Sequence, residues 1–339
     1  MSVESRPTGH APDDPHAPED RHAPDDPHRP DGPRALSDLG VDFCGLRLAH
    51  PVINASGTFD LVAAAAAFGE DALRAGFPFA AFVSKTITLA PRAGNPPPRL
   101  WEAPAGLINS IGLPNKGLDG YLAEELPALT RLLADTQGAG RPAPLITNVM
   151  GSTGEEIATL LAACDERPEI AALELNVSCP NVKTGLDIGA DPRALREVLC
   201  EVRPATAKPL IVKLTPNTAD VAACARAAEE GGADAVSLIN TLRALALAPG
   251  TGAAWLGGRT GGLSGPAIRA VALAQVAAVA GAISIPIVGM GGVQNATHAR
   301  DLLDAGAGLV AVGTESFRDP AVGARIAREL RGAPAAAVA

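Results

Sequence analysis

The chain of 339 residues is 47% hydrophobic and carries a formal net charge of −9. This acidic balance argues against nucleic acid as a partner, and no apolar run reaches the roughly 20 residues that a membrane-spanning helix needs. The 5 cysteines are scattered without a C-x-x-C pair, which predicts no disulfide framework, no bound metal and no iron-sulfur cluster on this chain. We therefore expect a cytoplasmic protein.

The first predicted region, residues 1–36, is an acidic tail with a repeat of six residues. His10, His16, His22 and His28 mark the repeat, and proline and acidic residues are frequent between them. Such a segment has too few aliphatic side chains to offset the entropy of ordering, so we expect disorder. The alternative is a weak histidine-rich metal-binding segment. Its polar, acidic start argues against an export signal.

From about residue 50, short aliphatic runs alternate with stretches rich in alanine, leucine, arginine and glutamate. The runs are typical of buried parallel strands and the stretches of helices. Eight such units close naturally into a (β/α)₈ TIM barrel, and an open doubly wound sheet is the alternative. We assign a barrel domain to residues 37–335, with predicted strands at residues 51–56, 80–86, 145–149, 172–177, 210–214, 235–239, 286–288 and 309–312.

Two connections between predicted strands are long: residues 87–116, which are rich in proline and glycine, and residues 242–262. Both follow a strand, so both belong to the end of the barrel where enzymes of this fold place their chemistry. Long loops in compact domains are usually functional. We therefore predict that both connections form walls of a binding site.

Polar residues collect at the C-terminal ends of the predicted strands. They are Ser56, Lys85, Thr86, Asn148, Asn176, Lys213, Asn240 and Thr241. Burial of such groups without partners costs a few kcal/mol each, so the pattern predicts a polar ligand at this end of the barrel; the alternative is that they cap one another and water. Lys85 and Lys213, two of only five lysines, could each face an anionic or electron-rich ring as a compact charge. A buried ion pair is their alternative.

Two glycine-rich turns follow the last two predicted strands, Gly289-Met-Gly-Gly and Val312-Gly-Thr-Glu. Barrels bind phosphate at this position with backbone N–H groups and a following helix N-terminus, and glycine lets the backbone approach the anion. No G-x-G-x-x-G pattern follows a strand, so a single phosphate is favoured over a pyrophosphate.

Cys179 is the candidate proton-transfer group at the predicted mouth. His50 precedes the first strand, while His298 and Tyr121 fall on predicted helices. A free thiol titrates near pH 8.5 or lower beside cations, so it can serve as a base. As a nucleophile it would need a histidine partner, and none is evident; the alternative is a structural cysteine.

Five motifs in this order resemble those of class 1 dihydroorotate dehydrogenases. They are Lys85-Thr-Ile-Thr, Asn109-Ser-Ile-Gly-Leu-Pro-Asn, Asn176-Val-Ser-Cys-Pro-Asn-Val-Lys, Gly261-Gly-Leu-Ser-Gly-Pro and Val288-Gly-Met-Gly-Gly. The resemblance runs from about residue 38 to 331. Asn-Val-Lys after the cysteine, together with Asn240-Thr241, resembles the 1B branch rather than the fumarate-reducing 1A branch. The membrane-associated class 2 enzymes carry serine as the base, unlike Cys179.

The resemblance implies FMN-dependent oxidation of (S)-dihydroorotate to orotate in de novo pyrimidine (UMP) biosynthesis. Cys179 would take the C5 proton of the substrate while the C6 hydride passes to FMN. The residues implied for the substrate are Lys85, Asn109, Ser110, Ile111, Gly112, Leu113, Asn176, Asn181, Asn240 and Thr241. Those implied for FMN are Ser56, Lys85, Thr86, Asn148, Asn176, Lys213, Ile239, Gly265, Gly291, Gly292, Gly313 and Thr314.

The 1B resemblance also implies a partner, an electron-transfer subunit with FAD and a [2Fe-2S] cluster that passes electrons to NAD, around a homodimer or heterotetramer core. The chain departs from the family pattern in its tail and at residues 185–188 and 244–258, which bears on that partner.

Three alternatives remain open. A dihydropyrimidine dehydrogenase-like reductase of uracil or thymine would share the barrel, FMN and the cysteine, but histidine tends to follow Cys-Pro there, whereas Asn181 does so here. A non-catalytic FMN-binding paralogue and a flavin-free phosphate-binding isomerase are the others. The isomerase would show paired acids at its strand ends.

Overall fold

The computed structural model describes residues 39–138, 140–178 and 188–332. The predicted tail at residues 1–36, together with Cys179 and Asn181, lies outside this range. The described chain contains fourteen strands. They are β1 (Val41–Phe43), β2 (Leu46–Leu48), β3 (Val52–Asn54), β4 (Phe82–Val83), β5 (Leu100–Ala103), β6 (Gly106–Asn109), β7 (Leu145–Val149), β8 (Ile170–Asn176), β9 (Leu210–Lys213), β10 (Ala235–Leu238), β11 (Leu242–Ala244), β12 (Gly261–Ser264), β13 (Ile287–Met290) and β14 (Leu309–Val312).

Eight of these strands form one parallel sheet in the order β3-β14-β13-β10-β9-β8-β7-β4. The prediction of a (β/α)₈ TIM barrel is confirmed, and the open doubly wound sheet is excluded. Residues 145–149 and 309–312 are strands exactly where they were predicted. The largest difference is at residues 80–86, where only Phe82–Val83 are in strand conformation.

The side chain of Asn54 closes the barrel between β3 and β4, which stand at the two ends of this strand order. Its Oδ1 accepts from the N–H of Val83 at 2.8 Å, and its Nδ2 donates to the carbonyl oxygen of Val83 at 2.8 Å. One further backbone bond crosses the seam, from Ala80 N–H to the carbonyl of Val52 at 2.9 Å. The fully buried amide of Asn54 therefore replaces the backbone ladder that a two-residue strand cannot supply.

We expect Asn54→Ala to lower the free energy of unfolding by about 3 kcal/mol, because both backbone groups of Val83 would lose a buried partner. The midpoint of urea unfolding measures this change, with Thr159→Ala on an exposed helix face as the control. A midpoint equal to that of the control would show that the seam does not depend on this amide.

In the part of the chain that the structure describes, ten α-helices pack mainly around the sheet and against one another. They are α1 (Leu61–Phe68), α2 (Glu70–Ala75), α3 (Gly117–Gly120), α4 (Leu126–Leu133), α5 (Gly154–Asp165), α6 (Pro192–Val202), α7 (Val221–Glu230), α8 (Arg269–Ala280), α9 (Ala296–Asp304) and α10 (Val322–Leu330). Several start at a side-chain cap that accepts from the first turn, among them Asp60, Thr153 and Asp220. Within the described ranges, no helix is long and apolar enough to cross a membrane.

The two long connections form a second, antiparallel sheet in the order β11-β12-β6-β5. β6 pairs with β12 across a wide sequence separation, with Asn109 opposite Gly262. Trp101 and Trp255 meet edge to face at 5.3 Å between ring centroids, and Ile108 and Leu256 form a small core beneath them. These strands were not predicted, although the connections that contain them were.

Candidate active site

A cavity of about 520 Å³ opens where the C-terminal ends of the barrel strands meet the antiparallel sheet. The connection at residues 87–116 contributes to its wall, for example through Leu107 and Asn109, which confirms the prediction for that segment. The prediction for residues 242–262 is wrong for this cavity: none of them lines it, and the wall there is formed by Thr241 and Ser264, which flank that connection. A cavity of this size, with mixed polar and apolar walls, is typical of sites for cofactors and small substrates.

Most of the residues predicted to bind cofactor or substrate line this one cavity. They are Ser56, Lys85, Thr86, Asn109, Ile111, Leu113, Asn176, Lys213, Ile239, Asn240, Thr241, Gly265, Gly291, Gly292, Gly313 and Thr314. Ser110 and Gly112 lie behind the wall, where Ser110 Oγ accepts from Asn95 Nδ2 at 3.0 Å. Ser178 lines the cavity, which places the residue before Cys179 in the same space as the two glycine turns.

Lys213 ends β9 inside the barrel and is 6% exposed. No hydrogen bond or ion pair joins its ammonium group to another residue of the described chain. The alternative that Lys213 belongs to a buried ion pair is therefore not supported within the described chain. A buried ammonium is costly unless an anionic or electron-rich group faces it, and Lys213 lines the cavity. Lys85 lines the same cavity but is exposed.

Three polar side chains at the ends of β8 and β10 position one another. Asn240 Nδ2 donates to Ser178 Oγ at 2.9 Å and reaches Asn176 Oδ1 at 3.4 Å. Asn176 Oδ1 also accepts from the N–H of Ser178 at 3.1 Å. This partly fits the alternative that the polar residues cap one another. Since Asn176 Nδ2 donates to no described residue, a donor remains for a ligand.

Glu174 is a buried acid of the barrel interior that the sequence analysis overlooked. It lies two residues before Asn176 on β8 and so faces the same side of the strand. Its carboxylate accepts from Ser237 Oγ at 2.7 Å and from Asn148 Nδ2. The second bond fixes the orientation of the Asn148 amide, whose buried Oδ1 then has no partner among the described residues. Asn148 lies behind the cavity wall, not in it.

The two glycine turns leave backbone donors free. The N–H groups of Gly292, Val293, Gly313 and Thr314 donate to no described residue. Gly292 has a φ of +69°, and a Cβ there would lie 2.7 Å from the Cβ of Arg269, so glycine is required on both grounds. The expected helix N-terminus contributes less, because α9 has its first-turn amides at Ala296 and His298 bonded to Glu329 and Asn295.

None of the four thiols of the described chain lines the cavity. Burial raises the pKa of Cys44 to about 11 and that of Cys164 to about 12, and neither lines the cavity. His50 is also remote, and burial lowers its pKa to about 4. These positions agree with the sequence argument that leaves Cys179 as the candidate base at the mouth.

Comparison with known proteins identifies the family. A family model described as dihydroorotate dehydrogenase matches residues 38–333. The catalytic subunit of dihydroorotate dehydrogenase B (NAD(+)) from Pelobacter propionicus is 45% identical over 86% of this chain and 91% of that protein. Proteins of the same name from Geotalea uraniireducens and Geobacter sulfurreducens are 44% and 42% identical, over 86% of this chain and 91% and 92% of theirs. The chain belongs to the dihydroorotate dehydrogenase family.

Membership in the dihydroorotate dehydrogenase family confirms the resemblance found in the motifs, including the 1B branch, because these relatives carry the B name. It also confirms an oxidoreductase with FMN as its cofactor. The alternative of a dihydropyrimidine dehydrogenase-like enzyme is not favoured, and the same holds for a flavin-free isomerase and a non-catalytic paralogue.

The cavity of this dihydroorotate dehydrogenase fits FMN on three observations. Free amide N–H groups at the two glycine turns suit a single phosphate. Ile239 and Met290 supply apolar wall for a flat ring system, and Lys213 brings to the same space a positive charge that no described residue pairs. Phosphate, ring and charge requirements are therefore met by residues that line one cavity.

Proposed function

We propose that this protein oxidises (S)-dihydroorotate to orotate with FMN, as the catalytic subunit of a cytoplasmic class 1B enzyme of UMP biosynthesis. One observation carries the proposal: a single cavity joins two turns with N–H groups and a buried lysine that have no partner in the described chain, and a cluster of amides next to Ser178.

The substrate is a small ring with a carboxylate and alternating amide donors and acceptors. Asn109, Asn176, Asn240 and Thr241 offer side chains that read such a pattern, and Lys85 offers a positive charge for the carboxylate. All five line the cavity. Ile111 and Leu113 add apolar wall from the same connection, while Ser110 and Gly112 support that wall. Asn181, by the motif it shares with the family, completes the set.

Cys179 acts as the general base that removes the C5 proton. Its neighbour Ser178 is held by Asn240 and Asn176, which supports a fixed position for the backbone entering the cysteine. A base must lie within hydrogen-bond reach of the proton that it takes. Excluding bulk water keeps the proton transfer directed, and the antiparallel sheet covers this end of the barrel.

FMN, when bound, supplies the acceptor for the hydride that leaves C6 of the substrate. Gly291, Gly292, Gly313 and Thr314 hold its phosphate through backbone N–H groups. Lys213 stabilises the negative charge that the reduced ring carries, and Asn148, oriented by Glu174, supports the polar layer beneath. Ser56, Thr86, Ile239 and Gly265 complete the walls.

The relatives are named catalytic subunits of an NAD(+) enzyme, and this supports a partner for the present chain. We assign to that partner FAD and a [2Fe-2S] cluster, with a homodimer or heterotetramer as the core. Leu100 and Phe317 line the cavity and are 53% and 61% exposed. Large apolar side chains exposed beside a reactive cavity fit contact with another protein.

The test of the proposed function is anaerobic reduction of the purified yellow protein. We expect dihydroorotate to bleach the flavin absorbance within the first turnover. Dihydrouracil is the matched control, because it has the same ring without the carboxylate, and we expect it to leave the colour. Bleaching by dihydrouracil but not by dihydroorotate would contradict the substrate assignment and favour the uracil and thymine reductase. Subsequent addition of NAD, fumarate or a quinone identifies the electron acceptor.

A further inference from the structure

The two glycine turns are tied to each other by a pair of side chains. Gln294, in the turn after β13, donates from Nε2 to Oε2 of Glu315, in the turn after β14, at 2.9 Å. Both residues line the cavity, and both are partly buried. The bond therefore sets one contact between the segments that carry the free N–H groups.

Arg325 on α10 holds the same two segments from behind. Its Nη2 donates to the carbonyl oxygen of Gln294 at 3.2 Å, and its Nε donates to Oδ2 of Asp319 at 3.0 Å. Asp319 N–H in turn donates to the carbonyl oxygen of Glu315 at 2.9 Å. One guanidinium thus connects the turn after β13 with the end of the turn after β14. We call Gln294, Glu315 and Arg325 the clasp.

The one cation of the clasp is already paired with carboxylates. Arg325 forms ion pairs with Asp319, at 3.0 Å, and with Glu329, whose Oε1 lies 3.6 Å from Arg325 Nη1. With Glu315, the clasp and these two acids carry one positive and three negative groups. The cations that line the described part of the cavity are Lys85 and Lys213, and neither belongs to these turns.

An anion at the turns therefore depends on neutral backbone donors from two separate segments. Hydrogen bonds weaken steeply with distance and angle, so the donors after β13 and those after β14 reach one anion together only at a defined separation of the turns. The clasp contacts fix that separation without adding positive charge.

We propose that Gln294, Glu315 and Arg325 are positioning residues for the cofactor, holding the two turns where both sets of N–H groups reach a single phosphate. The proposal rests on the proposed function, because it takes that phosphate to be the phosphate of FMN. Since the clasp acts on the phosphate alone, its loss changes the affinity for FMN and leaves unchanged that for riboflavin, which has the same ring and no phosphate.

The test titrates the full-length apoprotein with FMN and, separately, with riboflavin, following flavin fluorescence. For Gln294→Ala we expect FMN affinity to fall about tenfold, because a hydrogen bond to a charged group is lost, and riboflavin affinity to stay constant. Arg325→Ala shifts FMN affinity in the same direction, and Arg325→Lys recovers part of it. Arg328→Ala is the matched control, since Arg328 is exposed on the same helix. Glu315→Gln keeps an acceptor for Gln294 and removes a negative charge beside the turns, so FMN affinity should not fall.

Two results would overturn the clasp: an equal loss of FMN and riboflavin affinity in Gln294→Ala, or an unchanged FMN affinity in that variant. Both results can be measured even if Arg325→Ala fails to fold, because they concern Gln294→Ala, which removes only a partly buried amide. A failure of the proposed function looks different. In that case the wild-type protein binds riboflavin as tightly as FMN, so the phosphate has no role at the turns in the first place.

Discussion

Cys179→Ala should give a folded, yellow protein whose flavin is reduced by dihydroorotate about a thousand-fold more slowly than in the wild type, a loss within the range for a general base. The flavin stays bound because the turns and Lys213 that support it are untouched. The slow step is removal of the C5 proton, for which no second base lines the described cavity: His50 and His298 lie elsewhere, and the glutamate in the wall, Glu315, belongs to the glycine turn. Anaerobic stopped-flow absorbance at the flavin band measures the rate.

The dependence on pH separates a base from a packing residue. A thiol acts as a base in its thiolate form, so the wild-type rate should rise with pH and level off above the pKa of the thiol, which for a free cysteine is about 8.5. In Cys179→Ser the levelling should vanish, because a serine hydroxyl does not ionise in this range. Cys200→Ala, at an exposed thiol on α6, is the control. Near-normal reduction in Cys179→Ala would remove the cysteine from the mechanism.

The barrel could be predicted because its signal is local. Each parallel strand is buried on both faces and reads as one aliphatic run, as at Leu145–Val149 and Leu309–Val312. β4 could not be delimited in this way, because it is joined to β3 by the side chain of Asn54 and not by a regular ladder. The antiparallel sheet was missed for another reason: β6 and β12 are partners more than a hundred residues apart, and Gly261–Ser264 has little strand propensity.

The site was predictable to the extent that strand ends converge. Polar residues after different strands meet at one edge of a barrel whatever their sequence separation, and this brought Lys85, Asn176 and Lys213 to one cavity. Glu174 was not predicted as part of the site, because it lies two residues before the end of β8 and the prediction rested on the last residues of each strand. The alternation along β8, which puts Glu174 on the face of Asn176, was a sufficient signal. The clasp between Gln294 and Glu315 depends on side-chain orientation in two loops and has no sequence signature.

Lys213→Met should weaken FMN binding and slow reduction by dihydroorotate about a hundred-fold, since it removes the buried charge while conserving most of the volume. A unit charge close to a ring in a protein interior is worth about 2 to 3 kcal/mol, or roughly 40 to 60 mV for a two-electron couple. Because the positive charge favours the reduced, more negative ring, its loss should make the midpoint potential more negative by this amount. Spectroscopic titration against reference dyes measures the potential independently of turnover.

Lys208→Met is the matched control for that experiment. Lys208 precedes the same strand that Lys213 ends, so the substitution makes the same chemical change at the opposite end of the barrel and should leave the potential unchanged. Lys213→Arg should fail to restore it, because a broad guanidinium fork does not replace a compact ammonium in a space bounded by Asn176 and Ser237 on the flanking strands. An unchanged potential in Lys213→Met, with FMN still bound, would mean that the ammonium does not face the flavin ring. The buried ammonium of Lys213, which has no partner in the described chain, would then require a different anion in the cavity.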